Sequence, residues 1–140
     1  VPTRHWTARG LWDRNKCLWA SFVLETPAGK LYIVGDSGYG DGGHFRRVRE
    51  KHGDIRLAIL PIGAYEPRWF MKDQHMNPED AVKALADCGA QQAIASHHST
   101  FQLTHEAIDA PAQGLTAAMA AAQLPMDRFL ALKPGQSFEI

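Results

Sequence analysis

The stretch Ile59-Leu60-Pro61-Ile62-Gly63-Ala64-Tyr65-Glu66-Pro67-Arg68-Trp69-Phe70-Met71-Lys72-Asp73-Gln74-His75 divides at Gly63. Before the glycine, from about Arg56 to Ile62, apolar residues follow one another with little alternation. Such a run suits a strand covered on both faces of a parallel sheet. After the glycine comes a mixture of aromatic, charged and imidazole side chains with neither helical nor strand period. A strand that stops in such a loop places costly side chains where a ligand is handled.

Downstream, Asn77 is placed to cap a helix, with Pro78 at its first position and Glu79 and Asp80 in its first turn. Ala81, Val82, Leu85 and Ala86 form its apolar face, and Gly89 ends it. A strand is expected over Gln92–His97, a helix from about Pro111 to Gln123, and terminal strands near Phe129–Leu132 and Ser137–Ile140. Upstream, Leu18–Thr26 and Leu31–Gly35 read as a hairpin joined by Pro27-Ala28-Gly29-Lys30. The glycine-rich run Asp36–Gly43 leads into a helix over His44–His52. Residues 1–16 are polar and irregular, with Trp6 and Trp12 as expected anchors. The resulting order, in which helices alternate with strands after an opening hairpin, is an α/β layout. In such sheets ligand groups collect beyond the carboxyl ends of the strands, and the loops at Asp36, His75 and His97 leave strands in this way.

A chain of 140 residues forms one domain with a core. Fifteen basic residues balance fifteen acidic ones, so charge argues for no nucleic-acid partner. No apolar run reaches the length of a membrane span. Cys17 and Cys88 stand outside any CxxC pattern; buried free thiols and a disulfide are both open readings. Val1-Pro2-Thr3-Arg4-His5-Trp6 carries neither an initiator Met nor a signal-peptide pattern, and reads as a chain cut in the middle.

His5, Asp36 and His97 have the residue types of a hydrolytic zinc site. Each has an ordinary reading as well. His5 is a loop histidine, Asp36 an Asx-turn aspartate bonding Ser37-Gly38, and His97 a solvated turn residue. Their spacing is not that of a zinc finger. Glu66 and Arg68 are expected to pair and shape their loop, with Trp69, Phe70 and Met71 packed beneath it. His44, His52 and His105 read as surface histidines. Ser37 and Ser99 lack histidine–acid partners for a serine hydrolase, and Asp41-Gly42-Gly43-His44 has no phosphate-loop spacing.

The segment Ile59–His75 resembles the metallo-β-lactamase-fold hydrolases, in the branch of the N-acyl-phosphatidylethanolamine-hydrolysing phospholipase D enzymes and their bacterial relatives. Three further places are similar: His5-Trp6 with Arg9 and Asp13-Arg14-Asn15-Lys16, then Gly35-Asp36-Ser37-Gly38-Tyr39, then His97 with Thr100-Phe101. The resemblance covers roughly residues 1–110. It implies the downstream half of an αββα sandwich, a mixed sheet with flanking helices, as one unit over 1–140. By it His5 serves one metal, Asp36 bridges, His97 serves the other, and His75 orients the scissile group or steadies its charge. His98 falls outside the family position, as a supporting residue. Two zinc ions belong to the complete site, and a metal-bound hydroxide attacks a phosphodiester or related ester.

The family's His-x-His-x-Asp-His motif is not in this sequence. His5, Asp36 and His97 leave each metal two protein ligands at most, so the isolated chain is expected to be inactive and to bind metal weakly or not at all. A half-domain exposes a sheet face and a strand edge, which implies the missing N-terminal half or a second copy of the chain as partner. The substrate is then phosphodiester or lipid-like, and the expected location is cytoplasmic, or at a membrane through that substrate. The alternative is a non-catalytic α/β assembly or binding module.

Overall fold

A computed structural model describes residues 1–8 and 10–139. Its centre is one five-stranded mixed sheet in the order β1-β2-β3-β4-β5. β1 (Phe22–Thr26) and β2 (Gly29–Ile33) form an antiparallel hairpin in which Thr26 pairs with Gly29, so Pro27 and Ala28 alone make the turn. β2, β3 (Ile55–Pro61), β4 (Ala90–Ser96) and β5 (Phe129–Leu130) run parallel. The first strand is shorter than Leu18–Thr26, because only Ala20 of the preceding residues pairs, in a single bridge with Pro2. Residues 137–139 form no strand, and Ile140 lies outside the described residues.

The parallel strands are joined through α1 (Gly43–His52), α3 (Pro78–Cys88) and α4 (Ala110–Ala121), while a short α2 (Arg68–Met71) stands in the loop after β3. The capping logic of α3 holds: Asn77 Oδ1 accepts the Asp80 amide at 3.0 Å, and Gly89 closes the helix at φ 68°. α3 packs against α1, α4, β3 and β4, so the long helices cover one face of the sheet. Pairing places Val23, Tyr32, Ala58, Ala93 and Phe129 in one row on this face, and all but Val23 are buried. The next row on the opposite face is Phe22, Ile33, Ile59, Ile94 and Leu130. It is entirely apolar, yet Phe22 is exposed and the other four are only half-buried. The apolar sequence of β3 suits two covered faces; on this second face Ile55, Leu57 and Pro61 are buried, while the row at Ile59 is only half-buried.

Several expectations change. Trp12 is 87% exposed and anchors nothing, while Trp69 and Phe70 are also exposed and only Met71 packs inward. His44 is buried rather than superficial, because it shares the inward face of α1 with Phe45 and Val48. Cys17 is exposed, Cys88 is buried, and both are free thiols.

Candidate metal centre

His5, Asp36, His75 and His97 converge at the carboxyl ends of β2, β3 and β4. His97 Nε2 lies 3.3 Å from Asp36 Oδ1. The rings of His75 and His97 stack at 5.4 Å, and His75 meets the edge of His5 at 5.1 Å. Donor atoms of His5, Asp36 and His75 all fall within 4.8 Å of one another.

Backbone contacts hold the segments in register. The amide of Gly38 donates to the Arg4 carbonyl at 2.8 Å, and the Arg4 amide donates to Ser37 Oγ at 3.2 Å. His5 is thereby brought beside the Asp36 loop. A Cβ on Gly38 would fall 2.4 Å from the Asp73 carbonyl oxygen, so the loop after Asp36 can approach the segment before His75 only at a glycine. Ser37 Oγ spends its one proton on the Gly38 carbonyl at 2.9 Å, which leaves His44 Nε2, 3.3 Å away, as the donor to that oxygen. Ser37 is therefore a structural node, and Ser99, whose hydroxyl lies 2.7 Å from His98 Nδ1, bonds its sequence neighbour.

Nothing in the sequence singled out Trp19, yet it touches two of the four site residues. Its ring stacks on His5 at 4.3 Å, and its Nε1 donates to the Asp36 carbonyl at 2.8 Å. Arg68 does not pair with Glu66 through its guanidinium. It donates to the His75 carbonyl at 3.0 Å and to Asp80 Oδ2 at 2.6 Å, while the Glu66 carboxylate accepts the Arg68 amide. Glu106, also unmarked by any motif, accepts the amides of Tyr65 and Glu66 and so fixes the loop after β3. Burial alone would raise the Glu106 carboxyl; hydrogen bonds from Thr104 and from the backbone of Glu106, Glu66 and Tyr65 outweigh it and lower the pKa. Arg9, grouped with His5 by the sequence, lies outside the described residues.

The donor chemistry fits a cation. His5 Nδ1 lies 2.8 Å from the Trp6 carbonyl oxygen and His97 Nδ1 3.3 Å from that of Gly63. A carbonyl only accepts, so both rings donate from Nδ1, and in the neutral form of each ring Nε2 is left free to take a cation, the arrangement that outer hydrogen bonds impose on metal-binding imidazoles. For His97 that places a lone pair against the Asp36 carboxylate unless a proton or a cation intervenes. Burial holds the His75 imidazole down to about 4, with His97 and His5 adding to the effect and Asp36 opposing it, so this ring is neutral near pH 7.

A cavity of about 290 Å³ opens beside His97, with Phe101, Leu103, Ile108 and Pro111 in its wall. No helix among the described residues is long and apolar enough to cross a membrane.

Histidines and an aspartate gathered beyond the carboxyl ends of parallel strands stand where such sheets bind ligands, and their donor types suit a divalent cation. The model of the β-lactamase superfamily domain matches residues 1–98, and this chain belongs to that family. It is 40% identical over 103 residues to N-acyl-phosphatidylethanolamine-hydrolyzing phospholipase D 1 of Caenorhabditis elegans, covering 74% of this chain and 29% of that protein. With the mitochondrial enzyme of the same name from Saccharomyces cerevisiae it shares 39% over 108 residues, covering 76% of this chain and 23% of the relative. Among solved structures, a metallo hydrolase from the archaeon Ignicoccus hospitalis superimposes with a TM-score of 0.68 at 18% identity. All of this chain and 52% of that one are covered, which establishes the fold. The chain therefore spans about a quarter of the length of these two phospholipases.

Proposed function

We propose that this chain supplies His5, Asp36 and His97 to the zinc centre of a hydrolase that cleaves phosphodiesters of the phospholipase D type or related esters. The observation that carries the reading is the 3.3 Å approach of His97 Nε2 to Asp36 Oδ1, with the Nδ1 of His97 and of His5 each tied to a carbonyl. When bound, zinc supplies Lewis acidity and lowers the pKa of a coordinated water. Asp36, with two carboxylate oxygens, would be the residue able to serve both ions. His75, neutral and beside both histidines, orients the scissile group. The apolar wall of Phe101, Leu103 and Ile108 accommodates a hydrophobic substituent of the ester, in keeping with the lipid substrate named for the relatives.

Two metals need more protein donors than these. The remainder belong to a complementing polypeptide that carries His-x-His-x-Asp-His, whether the upstream half or another chain. The open row Phe22, Ile33, Ile59, Ile94 and Leu130 is the surface on which it packs.

The test is co-expression of this chain with such a polypeptide, taken from a longer relative. Zinc content is read by mass spectrometry, alongside hydrolysis of an aryl phosphodiester and of N-acyl-phosphatidylethanolamine. About two zinc per complex and zinc-dependent hydrolysis are expected, both lost in Asp36→Ala. Undiminished zinc in both Asp36→Ala and His97→Ala removes the ligand assignment.

A further inference from the structure

Counted along the sequence, each cation has two protein donors; in the structure three donors surround one point. The ligand atoms of His5, Asp36 and His75 lie no more than 4.8 Å apart. Two donors on one tetrahedral zinc, at about 2.1 Å each, are separated by roughly 3.4 Å. Contraction on the order of 1 Å, within reach of small side-chain rotations, thus brings the three onto a single ion. Three protein donors with one open position is the usual complement of a catalytic zinc.

A second observation concerns His75 itself. The residue is 7% exposed, and its Nδ1 is buried without a hydrogen-bond partner. Buried imidazole nitrogens in folded proteins are nearly always satisfied. The ring is wedged between those of His5, at 5.1 Å, and His97, at 5.4 Å, and its main chain is anchored as well. The His75 amide donates to the Met71 carbonyl at 2.9 Å and its carbonyl accepts from Arg68 at 3.0 Å. His5 is equally fixed, by its Nδ1 bond to Trp6 and its stack on Trp19, and Trp19 also holds the main chain of Asp36. The three donors are pre-positioned by contacts that lie wholly within this chain. His97 meets Asp36 but falls outside this mutual set.

We propose that this chain by itself holds one divalent cation of the zinc type through His5, Asp36 and His75, with His75 a direct ligand. The assignment rests on the metal-hydrolase reading above and deepens it: His75 takes the coordination position that the complementing polypeptide would otherwise fill, and His97 stands ready beside Asp36 for a second ion.

The test uses the tag-free 140-residue chain, titrated with Co²⁺ by visible absorption and with Zn²⁺ by calorimetry. One equivalent is expected. His5→Ala, Asp36→Ala and His75→Ala each weaken binding by at least about 100-fold, whereas His97→Ala changes it by less than about threefold. Because an alanine variant can fail to fold, the unmodified chain is also followed with nitrogen-15-labelled histidine. On adding Zn²⁺, the rings of His5 and His75, and not that of His97, take the shift of a coordinated nitrogen. Coordination through His5 and His97, with His75 unshifted, overturns the inference and leaves the ligand set of the proposed hydrolase standing. A chain that takes up no stoichiometric metal also overturns it, while the zinc content of the complemented protein still decides the hydrolase reading.

Discussion

Gly63 and His97 touch through their main chains so closely that a Cβ on Gly63 would sit 2.0 Å from the His97 carbonyl oxygen. The same pair is joined a second time, with His97 Nδ1 3.3 Å from the Gly63 carbonyl. The ends of β3 and β4 are thereby drawn together just where both strands give way to site loops. His97 itself adopts φ 59°, a left-handed conformation that a non-glycine residue holds only when its surroundings impose it.

Gly63→Ala is therefore expected to push the two strand ends apart. The loss of stability should reach the upper part of the about 1–3 kcal/mol range for overpacking. Gly10→Ala, where an added Cβ meets nothing within 4 Å, should stay within about 0.5 kcal/mol of the parent. Denaturant titrations measure both. Equal, small effects of the two substitutions would show that the strand ends separate freely.

Arg68 is a clamp between α3 and the main chain of His75. Its guanidinium serves the His75 carbonyl and Asp80 at once, a two-pronged geometry that the single ammonium of lysine does not reproduce. Arg68→Met should cost about 1–2 kcal/mol, and Arg68→Lys should recover less than half of it. The Asp80→Asn, Arg68→Met double mutant should show a coupling above about 0.5 kcal/mol. Strict additivity of the two substitutions would mean that the pair contributes nothing.

His44 gives the fold a pH response of determinable sign. Burial, aided by Arg47 and Arg4 and opposed by Asp41, holds its imidazole down to about 4, against 6.5 when free. Above pH 6.5 the folded and unfolded chains both carry it neutral, and it contributes no pH dependence. Between pH 6.5 and 4 only the unfolded chain takes up the proton, so stability falls as pH falls, and the fall levels off below 4. At pH 5 unfolding should bind about one proton through this residue. Thermal melts of the parent and of His44→Gln should diverge as pH drops through this window, with the parent losing more. Parallel curves would place a charged or solvated ring at His44.

Much of the fold could be read from the chain because its signals are local. The Asn77-Pro78 cap, the Gly89 stop, the Pro27 turn and the apolar run of β3 each act over a few residues, and the structure places all of them within a residue or two of expectation. The inward face of α1 carries no such mark: His44 shares it with Phe45 and Val48, yet a polar side chain after a glycine-rich loop reads as solvated. Trp19 and Glu106 had no such signal. One tryptophan beside a strand or one glutamate in a loop is ordinary until the segments that it joins are folded together.

The amino-acid sequence by itself determined the alternation of helices and strands and which side chains stand at the strand ends. Hydrogen bonding, capping and apolar periodicity settle those matters between near neighbours. Only the tertiary structure decided that His75 sits in contact with His5 and His97, that Trp19 braces two site residues, and that the apolar row at Ile59 is left half-buried. Those outcomes depend on parallel register and on glycine-sized approaches between segments distant in the chain, where a shift of a single ångström changes which donor atoms can share an ion.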